Sequence, residues 1–129
     1  MTAERPRALP HPLVELSACV DPSTLRHPVA REAVIQITLT LRKHLRGERW
    51  PLPYQIAAVA YCALAKDRVL VADEQGVGKT PVGLLRILLA GLVPAVVVAP
   101  ASMLLKWKEE SEIWLPGVEV HRLDRVDRF

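Results

Sequence analysis

Apolar positions along the chain follow two spacings, one typical of helices and one typical of buried strands. Before residue 50 they recur at intervals of three and four residues, at Ala30, Val34, Ile37, Leu41 and Leu45. This spacing places the side chains on one face and predicts an amphipathic helix from about residue 28 to 46. The β-branched run from residue 35 to 40 weakens that prediction, because branched side chains lose rotamer freedom in a helix.

The rest of the chain alternates helical segments with short apolar runs. Helical spacing predicts further helices over about residues 54–66, 80–90 and 103–114. Gly91 directly follows the second of these helices and is its predicted C-cap. Apolar, partly β-branched runs predict strands over residues 13–16, 69–72, 95–99 and 118–123. Apolar strands joined by crossover helices form a parallel sheet, so the pattern predicts an α/β fold preceded by a mostly helical N-terminal segment.

A glycine-rich turn lies between a predicted strand and a predicted helix, which is the order that a phosphate-binding loop requires. Gly76 and Gly78 allow a tight turn and a close approach of the backbone to a ligand. Lys79 can supply a cation for phosphates, and the Thr80 hydroxyl can ligate Mg²⁺. Asp73 stands where the general pattern of such loops has its first glycine. The alternative is an ordinary glycine turn between a strand and a helix.

The chain is mildly basic, with a formal net charge of +3 and an isoelectric point near 9.1. This balance is compatible with nucleic-acid binding but does not demonstrate it. Four cations, Arg42, Lys43, Arg46 and Arg49, cluster near the end of the predicted N-terminal helix. We favour a solvated helix terminus, where cations complement the helix dipole, over a patch that contacts phosphates.

Cysteine and hydropathy patterns narrow the class of protein. Cys19 and Cys62 form neither a disulfide framework nor a Cys-x-x-Cys motif, which fits a reducing cytoplasm. The histidines show no metal-ligand spacing. Residues 87–105 carry no charge and are long enough to span a bilayer, but the glycine and prolines within them favour a helix end, a strand and a loop. We therefore expect a cytoplasmic protein without a membrane span.

Three motifs follow one another after residue 50. They are Pro53-Tyr54-Gln55, then Asp73-Glu74-Gln75-Gly76-Val77-Gly78-Lys79-Thr80, then Val96-Val97-Val98-Ala99-Pro100-Ala101-Ser102 with Trp107 and Glu110. Together they resemble the start of the Swi/Snf-type ATPases, which are helicase-related superfamily two DNA translocases. The loop of that family likewise has aspartate where other phosphate loops have glycine, which accounts for Asp73. Leu52 stands where the family often has arginine.

The resemblance covers roughly residues 50 to 123 and implies a fold and a division of the chain. It implies a partial RecA-like P-loop NTPase domain over residues 50–129, with an N-terminal arm and helix over residues 1–49. It also implies ATP and Mg²⁺ as cofactors and DNA as a partner. Lys79 and Thr80 take the catalytic positions, and Thr80 is the metal ligand. The implied nucleotide contacts are Tyr54, Gln55, Asp73, Glu74, Gln75, Gly76, Val77, Gly78, Lys79 and Thr80.

Two of the implied roles have simpler alternatives. The Gln55 amide can pair with one edge of adenine, with Tyr54 near the base, or it can be only a polar residue at a helix start. Pro100, Ala101 and Ser102 are implied to touch the DNA backbone, whereas Ser102 alone also suits a helix N-cap. Trp107 is predicted to belong to the core rather than to stack on a base.

Hydrolysis also needs an acidic pair at the end of a strand. Glu109, Glu110 and Glu112 fall on a predicted helix, while Asp124 and Asp127 follow a weak strand. We therefore expect an ATP-binding N-terminal segment of a DNA-dependent ATPase that, as this chain alone, binds nucleotide weakly and does not hydrolyse ATP. Two alternatives stay open: another P-loop NTPase, such as a small kinase or transport ATPase, and a non-catalytic truncated module that binds DNA or a partner.

Overall fold

The computed structural model describes residues 9–66 and 68–123, and the regular structure within them is entirely helical. The α-helices are α1 Pro12–Ser17, α2 Pro28–His44, α3 Pro53–Ala65, α4 Lys79–Ala90 and α5 Leu104–Trp114. Two 3-10 turns accompany them, Pro22–Thr24 between α1 and α2 and Ala101–Met103 directly before α5.

The four helices predicted from apolar spacing, now α2 to α5, are confirmed. The buried stripe of α2 contains the predicted positions Ala30, Val34, Ile37 and Leu41. Its β-branched run is accommodated because Thr38 and Thr40 donate their hydroxyl hydrogen bonds to the carbonyl groups four residues earlier, at 2.8 Å in both cases. Bonding of this kind satisfies the hydroxyl groups inside the helix itself.

The core is built by helices packed on helices. α3 lies at its centre and packs against α1, α2 and α4, and α4 packs in turn against α5. Val59, Leu84 and Leu85 are among the side chains fully buried between them. Trp107 is half-buried against this core beside Gly83, in agreement with the prediction that it belongs there.

The predicted parallel sheet is wrong, because no strand occurs in residues 9–66 and 68–123. The segments 69–72, 95–99 and 118–123 have irregular backbone, and Val98 is 93% exposed. β-branched residues fit a pleated surface, but a strand forms only where a second strand supplies the hydrogen-bonding partners. In this part of the chain the helices bury their apolar faces against one another instead. The predicted partial RecA-like fold is therefore not present in the structure.

The predicted strand over residues 13–16 is also wrong, because these residues lie in α1. Pro12 opens the helix, where a missing N–H costs nothing. The side chain of His11 accepts a hydrogen bond from the backbone N–H of Leu13 at 3.3 Å. This cap and the proline outweigh the apolar pattern that favoured a strand.

Glu15 ties α1 to the start of α2. Its carboxylate oxygens accept hydrogen bonds from the backbone N–H groups of Arg26 and His27, at 2.5 and 2.8 Å. Burial by itself would raise the pKa of Glu15, but these hydrogen bonds and the charges of His27 and Arg26 outweigh it. The pKa of Glu15 consequently lies below its ordinary value.

Both ends of α4 carry a glycine in the left-handed conformation. Gly78 precedes the helix at φ 81°, and Gly91 follows it at φ 60°. The N–H groups of Gly91 and Leu92 donate to the carbonyls of Leu88 and Ile87 at 3.3 and 3.1 Å, which closes the helix end. The predicted C-cap at Gly91 is confirmed.

None of the helices described in residues 9–66 and 68–123 is long and apolar enough to cross a membrane. Asp124 and Asp127, considered above as acidic candidates, lie outside the described residues, as do residues 1–8 of the predicted arm. The predicted division between residues 1–49 and 50–129 stays a prediction.

Removal of a core side chain tests the helix-packed core. Leu85 of α4 is fully buried. We expect Leu85→Ala to lower the free energy of unfolding by about 2–5 kcal/mol, since it leaves a cavity. The control is Leu39→Ala on α2, where the side chain is 46% exposed and the expected loss is below about 0.5 kcal/mol. Equal losses in urea unfolding would contradict this core.

The lowered pKa of Glu15 predicts a specific loss of stability in acid. The contribution of Glu15 is present above the ordinary glutamate pKa of about 4.3 and is lost as the pH falls through the lower folded-state pKa. Glu15→Gln, which does not titrate, should therefore show a smaller fall in melting temperature between about pH 7 and pH 3. Glu112→Gln, at an exposed position on α5, should leave the fall unchanged. The idea fails if the two variants behave alike.

Candidate functional site

Residues 73–78, here called the glycine-rich loop, lead directly into α4. Gly76 and Gly78 adopt φ values of 82° and 81°, in the left-handed region that favours glycine. A Cβ atom at position 78 would collide with the amide nitrogen of Gln55, whereas one at position 76 would meet no neighbouring atom. Gly78 is thus required for both conformation and space, and Gly76 for conformation alone.

Lys79, the first residue of α4, folds back over the glycine-rich loop. Its Nζ donates hydrogen bonds to the carbonyl oxygens of Asp73 and Glu74, at 2.7 and 2.8 Å. An ammonium group has three donors, so these contacts leave one for a further acceptor. The side chain is exposed, and its charge is therefore accessible to an anion at the loop.

Two residues in the first turn of α3 fasten the glycine-rich loop from the other side. The Tyr54 hydroxyl donates to the carbonyl of Val77 at 2.7 Å. Gln55 Nε2 donates to the carbonyls of Val77 and Gly78 at 3.4 and 3.1 Å, and Gln55 Oε1 accepts from the backbone N–H of Leu52 at 2.8 Å. Gln55 is only 5% exposed, so its amide must be partnered within the protein. What remains for a ligand is the second lone pair of Oε1.

A cleft of about 470 Å³, here called the α5 cleft, opens between α5 and the first turn of α4. The residues that line it from α3, the glycine-rich loop and α4 are Gln55, Gly78, Thr80 and Pro81. Its other lining residues belong to α5 and to the α2–α3 connection, and include Glu48, Arg49, Trp50, Lys106, Glu110 and Trp114. This volume is within the range of small-molecule sites in proteins.

The structure divides the predicted nucleotide residues between two clefts. Gln55, Gly78 and Thr80 line the α5 cleft. Tyr54, Asp73, Glu74 and Val77 line a second cleft of about 520 Å³ that faces the end of α1. Lys79 lies at the glycine-rich loop, while Gln75 and Gly76 are exposed on it.

Glu110 of α5 holds two neighbours on the wall of the α5 cleft. Its Oε2 accepts a hydrogen bond from Trp114 Nε1 at 2.7 Å. Its Oε1 pairs with Arg49 Nη1 at 3.3 Å, where the Glu110 side chain is 18% exposed and the Arg49 side chain 61%. The carboxylate is thus fixed by Trp114 and in turn fixes the guanidinium group of Arg49.

Thr80 is the predicted Mg²⁺ ligand, and it lines the α5 cleft. Across residues 9–66 and 68–123, no cluster of three histidine, cysteine or acidic residues could hold a metal ion. Mg²⁺ often takes only one or two ligands from a protein and the others from substrate phosphates and water. These residues therefore fit Mg²⁺ only together with a bound phosphate, with the Thr80 hydroxyl as the ligand from the protein.

Pro100, Ala101 and Ser102 form an exposed turn before α5. Met103, rather than Ser102, occupies the N-cap position, and no side chain caps this helix. The predicted N-cap role of Ser102 is therefore wrong. The suggested contact of this turn with DNA stays a prediction.

The pairing of Arg49 with Glu110 and the cleft positions of Trp50 and Trp114 were not predicted from the sequence. Arg49 and Glu110 are 61 residues apart, so no local pattern links them. A usable signal was the four-residue spacing of Glu110 and Trp114, which puts both side chains on one helix face.

The chain is similar to parts of several much longer proteins. The SWI/SNF-related matrix-associated actin-dependent regulator of chromatin subfamily A-like protein 1 of Xenopus tropicalis is 29% identical over 114 residues, 85% of this chain and 11% of that protein. The DNA annealing helicase and endonuclease ZRANB3 of Mus musculus is 33% identical over 79 residues, 58% of this chain and 7% of that protein. The CHD3-type chromatin-remodeling factor PICKLE of Arabidopsis thaliana is 35% identical over 74 residues, 53% of this chain and 5% of that protein.

No family model matches the chain, and no solved structure matches it. The chain spans no more than 11% of the length of the three relatives. The similarity nevertheless points in one direction, since all three have names that describe chromatin regulators or a DNA helicase. Over part of its length, this chain is related to Swi/Snf-type proteins.

Proposed function

We propose that this chain is an ATP-binding segment of a Swi/Snf-type DNA-dependent ATPase, which would couple ATP hydrolysis to movement along DNA. The observation that carries the proposal is the position of Lys79. Its ammonium group lies at the start of α4, 2.7 and 2.8 Å from two carbonyl oxygens of the glycine-rich loop. The similarity to chromatin regulators and a DNA helicase supports the same class of protein.

Phosphate binding at the glycine-rich loop follows from the chemistry of the loop and the helix after it. The first N–H groups of α4 have no acceptor within the helix, and the helix dipole adds partial positive charge there. Gly78 brings the backbone close without a side chain in the way. Lys79 would exchange its carbonyl contacts for phosphate oxygens, which are charged and therefore stronger acceptors. Thr80 would then complete the coordination of Mg²⁺.

Adenine is the base that suits the acceptor site left open on Gln55 Oε1. Both donors of its amide are directed at the glycine-rich loop, so Oε1 is the atom left to meet a base. The exocyclic amino group of adenine can donate to that oxygen, whereas guanine presents a carbonyl oxygen at the corresponding position. The α5 cleft would hold the base against Gln55.

A contact with DNA is proposed at the turn formed by Pro100, Ala101 and Ser102. All three residues are exposed, and exposed Lys106 and Lys108 follow on α5. The Ser102 hydroxyl can donate to phosphate oxygens, and the lysines add an attraction that does not depend on base sequence. Contacts with the DNA backbone suit a protein that moves along DNA.

Hydrolysis of ATP needs an acidic pair, which the residues proposed for the nucleotide and DNA sites do not include. The property proposed for this chain alone is therefore binding.

Replacement of Lys79 tests the phosphate site. We expect Lys79→Ala to weaken ATP binding in the presence of Mg²⁺ by about 10- to 100-fold, the usual value of a lost hydrogen bond to a charged group. Lys43→Ala is the control, because Lys43 carries the same charge at an exposed position on the last turn of α2. Isothermal titration of both variants gives the two affinities.

Two results of that titration would contradict the proposal. ATP binding that Lys79→Ala leaves unchanged would place the phosphates elsewhere. A folded wild-type chain that binds no ATP would favour the non-catalytic module instead.

A separate assay of ATP hydrolysis tests whether this chain only binds nucleotide. Hydrolysis that is stimulated by DNA and abolished by Lys79→Ala would show that binding is not its whole activity.

The role of Gln55 predicts a preference between nucleotides. Wild-type protein should bind ATP about tenfold more tightly than GTP, because guanine would leave Oε1 of Gln55 facing another acceptor. Gln55→Ala should reduce this ratio, and it should also weaken both nucleotides because the glycine-rich loop loses its clamp. If wild-type protein binds GTP as tightly as ATP, Gln55 fastens the loop but does not read adenine.

A further inference from the structure

We propose that Arg49 contacts the base of the bound nucleotide through the flat face of its guanidinium group, and that Glu110 is the positioning residue that holds it there. The inference rests on the proposed binding of ATP and adds a further residue that lines the α5 cleft. Arg49 precedes α3 and does not belong to the motifs that pointed to a nucleotide.

The location of Arg49 supports a contact with the base. Arg49 lines the α5 cleft together with Gln55, Gly78 and Thr80. A nucleotide with its phosphates at the start of α4 and its base against Gln55 would hold that base in the same cleft as Arg49. The Arg49 side chain is 61% exposed, so much of its surface is available to a ligand.

The charges around Arg49 favour a base over a phosphate. Glu110 already pairs with Nη1 of Arg49, and Glu48 and Lys106 also line the cleft. The two carboxylates offset the charges of Arg49 and Lys106, so the cleft has no excess of positive charge to attract a phosphate. An ion pair in the plane of the guanidinium group leaves its two flat faces open, and such faces stack well on aromatic rings.

Glu110 restricts the orientation of Arg49 by holding one end of its guanidinium group. Its carboxylate is anchored on the other side by Trp114 Nε1 at 2.7 Å, and its side chain is only 18% exposed. A flexible arginine would have to lose rotamer freedom on binding, whereas one held by Glu110 has already lost much of it. Glu110 would thus act on the nucleotide only through Arg49.

The test compares ATP with inorganic tripolyphosphate, which has the phosphates but no base. We expect Arg49→Ala to weaken ATP by about three- to thirtyfold, in line with the strength of cation–aromatic stacking, and to leave tripolyphosphate unchanged. Lys79→Ala should weaken both ligands. Arg46→Ala removes the same charge from an exposed residue that does not line the α5 cleft, and it should change neither affinity.

Two further variants separate base contact and positioning from general structure. Arg49→Lys keeps the charge without the planar group, so it should weaken ATP nearly as much as Arg49→Ala. Glu110→Gln should weaken ATP in the wild-type background but have no further effect in the Arg49→Ala background. A further loss there would assign Glu110 a separate role in the fold and overturn its part of the inference.

Failure of this inference can be distinguished from failure of the proposed function. If Lys79→Ala weakens ATP while Arg49→Ala does not, ATP binding stands and the base contact falls. If Arg49→Ala weakens tripolyphosphate as much as ATP, Arg49 binds phosphate and the inference is wrong. If the wild-type protein binds neither ligand, both proposals fall together.

Discussion

The hydrogen bonds of one buried amide hold the glycine-rich loop in place. Gln55 Nε2 donates hydrogen bonds to two loop carbonyls, and Gln55 Oε1 accepts one from the backbone N–H of Leu52. The residue is only 5% exposed. Because an unpartnered buried amide would be costly, the loop and the start of α3 must keep their relative position. A Cβ atom at position 78 would press on this amide, so a larger residue there would disturb the clamp as well as strain the backbone at φ 81°.

Helix packing is the second constraint, and it decides what happens to the apolar segments between the helices. α3 contacts α1, α2 and α4, so the largest apolar faces of the described chain are buried among helices. Val69 and Val71 pack partly against that core, but Val96 and Val98 remain almost fully exposed. The preference of these residues for extended backbone did not produce a sheet here, because strands need a paired backbone as well as suitable side chains.

α5 lies beside both of the proposed binding surfaces of this chain, the one for nucleotide and the one for DNA. Its inner face supplies Lys106, Glu110 and Trp114 to the cleft where the nucleotide would bind. The exposed turn proposed to meet DNA comes directly before it. The same helix thus borders both proposed binding surfaces.

Local patterns were enough to predict the four longer helices, the C-cap at Gly91 and the burial of Trp107 against the core, because spacing and capping are local properties. The composition of the glycine-rich loop also predicted a tight turn, and Gly76 and Gly78 adopt the left-handed conformation that glycine tolerates best. The folded structure was needed to show that the apolar runs at residues 69–72, 95–99 and 118–123 do not pair as strands and that Gln55 clamps the glycine-rich loop. It alone joined Arg49 to Glu110 across 61 residues. Strand pairing and side-chain contacts at that separation depend on how the helices pack, and a local pattern contains no information about that.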